Sequence, residues 1–484
     1  MTDTTNTTPI VAVAAGDGIG PEITEAALRV MESAGATFET REIQLGEALY
    51  KSGHSSGIGP GTWDTLAEAD ALFKGPITTP LGSGYKSLNV TLRKTLGLFA
   101  NVRPCRSLHP AVTTLHPEQD IVIVRENEED LYAGIEHRQT FEVYQTLKLV
   151  SRPGTERIIR YAFDYCRANG RKKLTCFTKS NIMKLTDGLM QNVFEEIGKE
   201  YPDIEQHHMI IDIASARLAA RPQDFDVIVT SNLYGDIVSD IAAELTGSVG
   251  LGASANIGAT LSMFEAIHGS APDIAGQKIA NPSGLILAGV MMLNHLGQGP
   301  VAAKVHNAWL KTIEDGLHTG DIYREGTSKQ RLGTQGFADA VIERLGEQPQ
   351  TFTPVSYEAG SAVKVAPHNR VDADAASRRL VGVDVFAMSR EAPDALAARL
   401  QSAQTKGAEL KMLTNRGIMV WPSYNPATFC TDHWRCRFQF DGDASGSDIV
   451  ALLDSVTSAG VDIIKTENLY EFDGKPGYSL GQGQ

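Results

Sequence analysis

Pro9-Ile10-Val11-Ala12-Val13-Ala14-Ala15-Gly16-Asp17-Gly18-Ile19-Gly20-Pro21 reads as a short buried strand that turns tightly into a helix. The helix that follows carries Ile23, Ala26, Ala27, Val30, Met31 and Ala34 on one stripe. Strand, glycine turn and helix in that order invite a dinucleotide fingerprint, but the two-residue step from Gly18 to Gly20 breaks the G-x-G-x-x-G form. The stretch therefore predicts a structural turn in an α/β fold and argues against a Rossmann site.

Working outward, strands are expected at Ile121–Val124, Leu174–Phe177, Met209–Ile213 and Val227–Thr230, with helices at Arg157–Ala168 and Met183–Ile197. From Gly346 to Arg379 the periodicity fades into Pro, Ser, Ala and mixed charge, which predicts a linker. Beyond it, Val381–Met388, Leu410–Thr414, Gly417–Trp421, His433–Phe440 and Val461–Lys465 read as strands. Ala392–Gln401 and the stretch holding Ile449, Leu452, Leu453 and Val456 read as helices. Residues 380–484 thus form a small α+β domain without a motif that carries chemistry.

The 484-residue chain is 42% hydrophobic, enough for a large core and two or three domains. A net charge of −14 disfavours nonspecific binding to nucleic acid or an anionic membrane, so an anionic ligand needs a local cationic cluster. No long apolar run and no signal-like start is visible, and a cytoplasmic location is expected. Five scattered cysteines argue against a disulfide framework or a zinc site.

Asp236 and Asp240 lie four apart behind the Val227–Thr230 strand, which on a helix places both carboxylates on one face at a strand's carboxyl end. Asp212 closes the apolar run Met209–Ile211, an awkward position for an unpaired carboxylate. Three carboxylates without His or Cys suit a hard cation, Mg²⁺ or Mn²⁺. Ser87, Asn89 and Arg93 are followed by Arg103 and by Arg125, a donor set matched to carboxylates. Arg125 ends an apolar strand and needs a partner. Tyr132 and Lys179 are candidates for proton transfer. The small residues of His268-Gly269-Ser270-Ala271-Pro272-Asp273-Ile274-Ala275-Gly276, leading to Asn281, would let a loop approach a flat ligand closely.

Together GDGIGPE, KGPITTP, KSLNVTLR, NVRP, VRENEEDLYAGIEH, TKSNIMK, NLYGDIVSD and EAIHGSAPDIAGQKIANP resemble the β-decarboxylating dehydrogenases that act on isocitrate and isopropylmalate, and the tail resembles the C-terminal extension of a bacterial subgroup. The resemblance implies that family's own α/β fold with a clasp. A large cofactor-binding domain is expected over 1–98 and 247–345, and a small domain with the clasp and dimer interface over 99–246. It implies a homodimer with shared sites, Lys179 and Asp212 reaching in from the neighbour. Ser87, Asn89, Arg93, Arg103 and Arg125 would bind substrate, Tyr132 and Lys179 would move protons, and Asp212, Asp236 and Asp240 would hold the metal. Thr78, Thr79, Asn181, Glu265, His268, Gly269, Ala271, Asp273, Ile274 and Asn281 would bind the cofactor.

Ser87 and Asn89 have the isocitrate form. An alkyl substrate would leave them unpaired at about 1–3 kcal/mol each, which disfavours isopropylmalate; homoisocitrate enzymes also depart from this pattern. Asp273 and Ile274 stand where NADP-using members carry Lys and Tyr. A carboxylate there would accept ribose hydroxyls and repel a phosphate by about 4 kcal/mol per unit charge at an effective dielectric near 20, so the expected cofactor is NAD, with NADP the alternative. A catalytically silent regulatory subunit is the competing class, set against by the presence of every site residue. For residues 380–484, contacts that stabilise the dimer are preferred over ligand binding.

Overall fold

The computed structural model describes residues 8–79, 87–357, 377–423 and 427–481. The centre of the expected linker, 358–376, lies outside them, as do residues 80–86 of the motifs between KGPITT and Ser87. The chain divides into two units, residues 1–133 with 148–368, and residues 134–147 with 369–484.

The first unit is built on one ten-stranded sheet. Its strands are β1 (Ile10–Ala14), β2 (Glu39–Glu42), β3 (Ala71–Lys74), β4 (Ala100–Arg106), β5 (Asp120–Glu126), β6 (Lys173–Thr178), β7 (Glu205–Ile210), β8 (Val227–Thr230), β9 (Ala253–Ile257) and β10 (Ser262–Ala266). Their spatial order is β2-β1-β3-β10-β9-β4-β5-β8-β6-β7. The outer strands pair in parallel, whereas β10–β9, β9–β4 and β4–β5 are antiparallel. Two parallel halves therefore meet at an antiparallel centre, an arrangement foreign to a Rossmann sheet.

Helix α1 (Gly20–Ala34) begins with Pro21 in its first turn and ends on Gly35 at φ +94°, a left-handed cap that suits glycine. The whole predicted stripe from Ile23 to Ala34 is buried, each large side chain contributing about 1.5–3 kcal/mol. The glycine turn before it serves close approach. A Cβ on Gly18, itself at φ +59°, would fall 2.0 Å from the Ser270 carbonyl oxygen, and Ile19 N–H donates to that oxygen at 2.9 Å. Among the further helices that flank the sheet are α2 (Arg152–Ala168), α3 (Ile211–Ala220) and α4 (Asn232–Leu245). Past β10 come α5 (Ser283–His295), apolar around nearly its whole circumference and correspondingly buried, and α6 (Gly299–Glu314).

One expected strand is shorter than its apolar run. Met209–Ile213 leaves the sheet at Ile210 and continues as α3, placing Asp212 in that helix's first turn. A carboxylate beside free N–H groups at a helix start is favoured, and Ile213 turns half-exposed to solvent.

After Glu314 the chain returns along α6. The Glu314 carboxylate accepts the N–H groups of Gln350 and Thr351, Asn307 bonds both backbone groups of Val355 at 2.8 and 2.9 Å, and His306 Nδ1 meets the Tyr357 hydroxyl at 2.7 Å. Burial pulls the His306 imidazole down to about 4. Between the ordinary histidine value near 6.5 and about 4, the unfolded chain binds the proton and the folded chain does not, so stability falls as pH drops through that window. We expect His306→Gln to abolish about 2 kcal/mol of this slope, checked by denaturant melts of parent and variant at pH 7 and pH 4.5; identical slopes refute a buried neutral His306.

In the second unit, β11 (Arg378–Met388), α7 (Pro393–Ser402), β12 (Ala408–Asn415), β13 (Ile418–Trp421), β14 (His433–Phe440), α8 (Gly446–Ser458), β15 (Asp462–Phe472) and the short β16 (Lys475–Pro476) give the order β13-β12-β14-β11-β15-β16. This is a βαββαβ sandwich with two added strands. The helices cover one face, where Trp434, Cys436 and Phe438 are buried as their alternation predicts. On the other face Arg437 is also buried, paired to Asp384 by two 2.8 Å bonds beneath the Tyr478 ring. Strand β15 outruns the expected Val461–Lys465 because its polar second half pairs along β11 at the rim. The hairpin Glu136–Arg138/Tyr144–Thr146, which lies within the expected 99–246 domain, groups with this unit. Phe141 N–H donates to Asp432 at 3.2 Å, and Asp432 N–H donates to Glu142 at 2.9 Å.

No helix among the described residues is long and apolar enough to cross a membrane, and all five cysteines are free.

Candidate active site

The antiparallel centre of the sheet sets Arg103 on β4 and Arg125 on β5 against α4, which follows β8 directly and presents Asn232, Asp236, Ser239 and Asp240. Gly235 permits the approach: a Cβ there would stand 2.4 Å from the Arg125 stem. Arg125, 1% exposed, donates from Nε and its second terminal nitrogen to Asn232 Oδ1 at 3.1 and 2.8 Å. Its first terminal nitrogen pairs with Asp236, and its guanidinium lies 5.0 Å from the Tyr132 ring centre. Arg103 donates to Asn101 and Ser239, both at 2.6 Å, and stands 3.6 and 3.5 Å from Asp236 and Asp240. The Tyr132 hydroxyl donates to Asp236 Oδ2 at 2.6 Å.

Arg93 belongs to a second ion cluster. Glu265 sits between Lys74 Nζ at 2.7 Å and Arg93 at 3.0 Å and also accepts from Asn256 at 2.9 Å, which engages both carboxylate oxygens. In this structure Glu265, a cofactor candidate, fixes Arg93. Asn256 in turn receives Asn101 at 2.6 Å and Asn127 at 3.0 Å, so a buried asparagine ladder links Arg103 to Glu265. Lys74, Asn101, Asn232, Ser239 and Asn256 were not singled out from sequence. Lys74 was open to the argument made for Arg125, a charge closing an apolar strand.

Two guanidiniums, Arg103 and Arg125, confront Asp236 and Asp240, with Arg93 close enough for its charge to act on Asp236. Burial, with Arg103 and Arg93 nearby, brings Arg125 down to about 10. Burial also raises Tyr132, reinforced by its bond to Asp236. Burial would raise Asp236 as well, but Arg125 and Arg103 outweigh it and hold the carboxylate low; at Asp240 burial outweighs Arg103 and the shift is upward. Buried atoms without a partner, Asn89 Oδ1 and Arg93 Nε, mark where a polar ligand is wanted. Ser87 lies next to them and meets the Thr79 hydroxyl at 3.4 Å.

Lys179 and Asp212 form a separate pair at 2.8 Å, and that bond holds Asp212 below the usual carboxylate range. Among the described residues no group of three His, Cys, Asp or Glu side chains is placed to hold a metal, so Asp212 does not join Asp236 and Asp240 within one chain. The two helix carboxylates do fit a hard divalent ion by donor type and spacing, but the set is incomplete in a single chain. Ile182, Leu185, Ile213 and Ile237, neighbours of Lys179, Asp212 and Asp236, are 50–69% exposed.

The cofactor candidates frame a loop held from behind by the glycine turn. Thr78 N–H donates to Asp17 at 2.9 Å, and its hydroxyl meets Ser270 at 2.7 Å. His268 Nε2 is buried without a partner, and burial lowers that imidazole. Gly269 leaves open space where a side chain would stand, and Ala271 adopts φ +38°. Asn281 donates to Asp321 at 2.9 Å and accepts the Ser283 N–H at the start of α5. Ile274 packs in part against the main core, Asp273 is exposed, and Asn181 is exposed beside Lys179.

Residues 10–341 match the model of the isocitrate/isopropylmalate dehydrogenase family, and 378–484 match that of the bacterial isocitrate dehydrogenase C-terminal domain. The chain belongs to the isocitrate/isopropylmalate dehydrogenase family. It is 51% identical over 487 residues to a Rickettsia bellii protein named isocitrate dehydrogenase [NADP], covering 99% of both chains. A Thermus thermophilus protein of the same name is 42% identical over 98% of this chain and 96% of its own. A crystal structure of a Thermus thermophilus protein superposes with a TM-score of 0.92 at 42% identity, covering 98% of this chain and 96% of that one. The family fold and C-terminal domain are thus those expected.

These relatives overturn the expectation of NAD: full-length family members sharing the C-terminal domain are named for NADP. Asp273 alone does not set the preference. It is exposed, where water reduces a like-charge contact to about 1 kcal/mol per unit charge. The loop also has a second wall, tied by Asp321 to Asn281 and by Thr334 N–H to the Lys278 carbonyl at 3.0 Å, and the segment between them carries Arg324 and Arg331.

Proposed function

We propose that this chain oxidatively decarboxylates isocitrate to 2-oxoglutarate and CO₂ with NADP as hydride acceptor, as a homodimer that uses Mg²⁺ or Mn²⁺. The observation that carries the reading is the buried pair Arg103 and Arg125 facing Asp236 and Tyr132, with buried Arg93 held nearby on Glu265. In a chain of net charge −14, such a concentration of guanidinium fits a tricarboxylate.

In the ligand-free arrangement the arginines and Asp236 neutralise one another. Substrate carboxylates would take over the guanidiniums and release Asp236 and Asp240, which with Asp212 of the partner subunit form a hard-oxygen set for the divalent ion. When bound, that ion supplies electrophilic stabilisation of negative charge developing on substrate oxygens. Ser87 and Asn89 give neutral polar contacts to the carboxylate that distinguishes isocitrate from alkyl malates. Lys179 of the partner subunit removes the hydroxyl proton as hydride leaves the same carbon for NADP. After CO₂ departs, Tyr132 returns a proton to the carbon it left. Its raised affinity for its own proton keeps it in the acid form at neutral pH, as this role requires.

Initial rates with isocitrate, homoisocitrate and isopropylmalate, each with NADP and NAD and with Mg²⁺, test the reading directly. Isocitrate with NADP is expected to exceed every other pair by at least about 100-fold in kcat/KM. No turnover of isocitrate would favour a silent subunit, and faster turnover of an alkyl malate would remove the assigned role of Ser87 and Asn89.

A further inference from the structure

Behind the strand that carries Arg103 lies a cavity of about 790 Å³ that none of the chemistry above uses. The pleat of β4 separates the two sides: Arg103 turns toward Asp236 and Ser239, whereas Val102, Pro104 and Arg106 line the cavity. Tyr161 from α2 and Trp309 from α6 give it a mainly aromatic and aliphatic wall, and Tyr357 closes one side, held there by His306. The volume falls within the range of about 300–1,000 Å³ typical of small-molecule sites.

Its lining also carries Asp120, Asn169, Thr246, Asn294 and His295, and its two guanidiniums differ in their partners. Arg171, the other lining cation, is neutralised by Asp120 at 2.7 Å and Asp226 at 2.9 Å. Arg106 has no recorded ion pair or side-chain hydrogen bond among the described residues, stands exposed at the mouth, and is close enough to His306 and Tyr357 for its charge to act on both. One uncompensated guanidinium beside a hydroxyl and a neutral imidazole offers a charged and a neutral donor to a single anionic group. With Arg171 already paired to two carboxylates, the lining leaves no second cation for a second anionic group.

We propose that this cavity binds an amphiphilic monocarboxylate, its carboxylate on Arg106 and the Tyr357–His306 pair and its apolar body against Trp309 and Tyr161. A polyanion such as a nucleotide or a tricarboxylate would leave charge unmatched. A neutral apolar molecule would leave Arg106 unused. A ligand there touches the strand whose opposite face holds Arg103, so the site is placed to influence isocitrate binding without contacting it.

The test uses full-length protein without substrate, so its outcome does not depend on the assigned reaction. Decanoate, with decanol as its neutral counterpart, is titrated while tryptophan fluorescence is followed in the parent, Trp309→Phe and Arg106→Gln. Decanoate is expected to give a saturable change in the parent that disappears in Trp309→Phe. It should bind Arg106→Gln at least tenfold more weakly, and decanol should bind the parent at least tenfold more weakly. No saturable change in the parent, a signal that survives Trp309→Phe, or equal affinity of decanoate for parent and Arg106→Gln would overturn the proposal. Arg106 sits at the end of β4 and is exposed, so Arg106→Gln is expected to fold, and its circular dichroism spectrum checks that it does.

Discussion

We expect Arg125→Lys to lower kcat/KM for isocitrate by about 10³-fold while leaving the chain folded. The guanidinium is used from three nitrogens at once, two on Asn232 and one on Asp236, and it stacks beside Tyr132. An ammonium keeps the charge but cannot reproduce the planar fork, so two donors and the stacking are lost together. Truncating one partner of a buried charge pair costs about 2–5 kcal/mol, and about 4 kcal/mol corresponds to the stated factor. Initial rates over a range of isocitrate concentrations, with circular dichroism to verify folding, measure it. A loss below tenfold would mean that Arg125 serves the fold and does not grip the substrate.

The second large effect is a recovery of activity. Lys179→Met and Arg125→Lys homodimers should each be nearly inactive. A purified heterodimer of the two, co-expressed with different tags, should regain about half of the parental activity, because sites built from both chains leave one with both lesions and one with neither. The arrangement that motivates this is the separation of the Lys179–Asp212 pair from the Asp236–Asp240 pair within one chain, with exposed isoleucines and a leucine beside each. A heterodimer as inactive as its parents would place Lys179 in the same subunit's site and end the shared-site reading.

Much of this was legible in the sequence where one residue's environment determined its role. Alternation placed Trp434, Cys436 and Phe438 inside, and a charge ending an apolar run marked Arg125. The broken glycine spacing excluded a Rossmann turn, and the sheet's antiparallel centre agrees. What stayed hidden depended on elements distant in sequence. The asparagine ladder joins residues more than 150 positions apart, and Arg437 is covered by Asp384, Tyr478 and Ser479 from distant parts of the chain. Asp212 was read at the end of a strand because apolar residues precede it, and hydrophobic period alone does not separate a strand's last residues from a helix's first turn. The cofactor error has the same origin: Asp273 was weighed without its exposure or the second wall of the loop.

The hairpin at 136–146 interrupts one unit yet makes its contacts in the other, through Asp432. A stop codon placed at residue 377 would therefore not yield a shorter version of the same molecule. It would orphan a pair of strands more than 230 positions upstream and strip the Thr140 hydroxyl and the Phe141 N–H of their Asp432 partner, so the apparent appendage and the loop that meets it can be trimmed or transplanted only as a matched set.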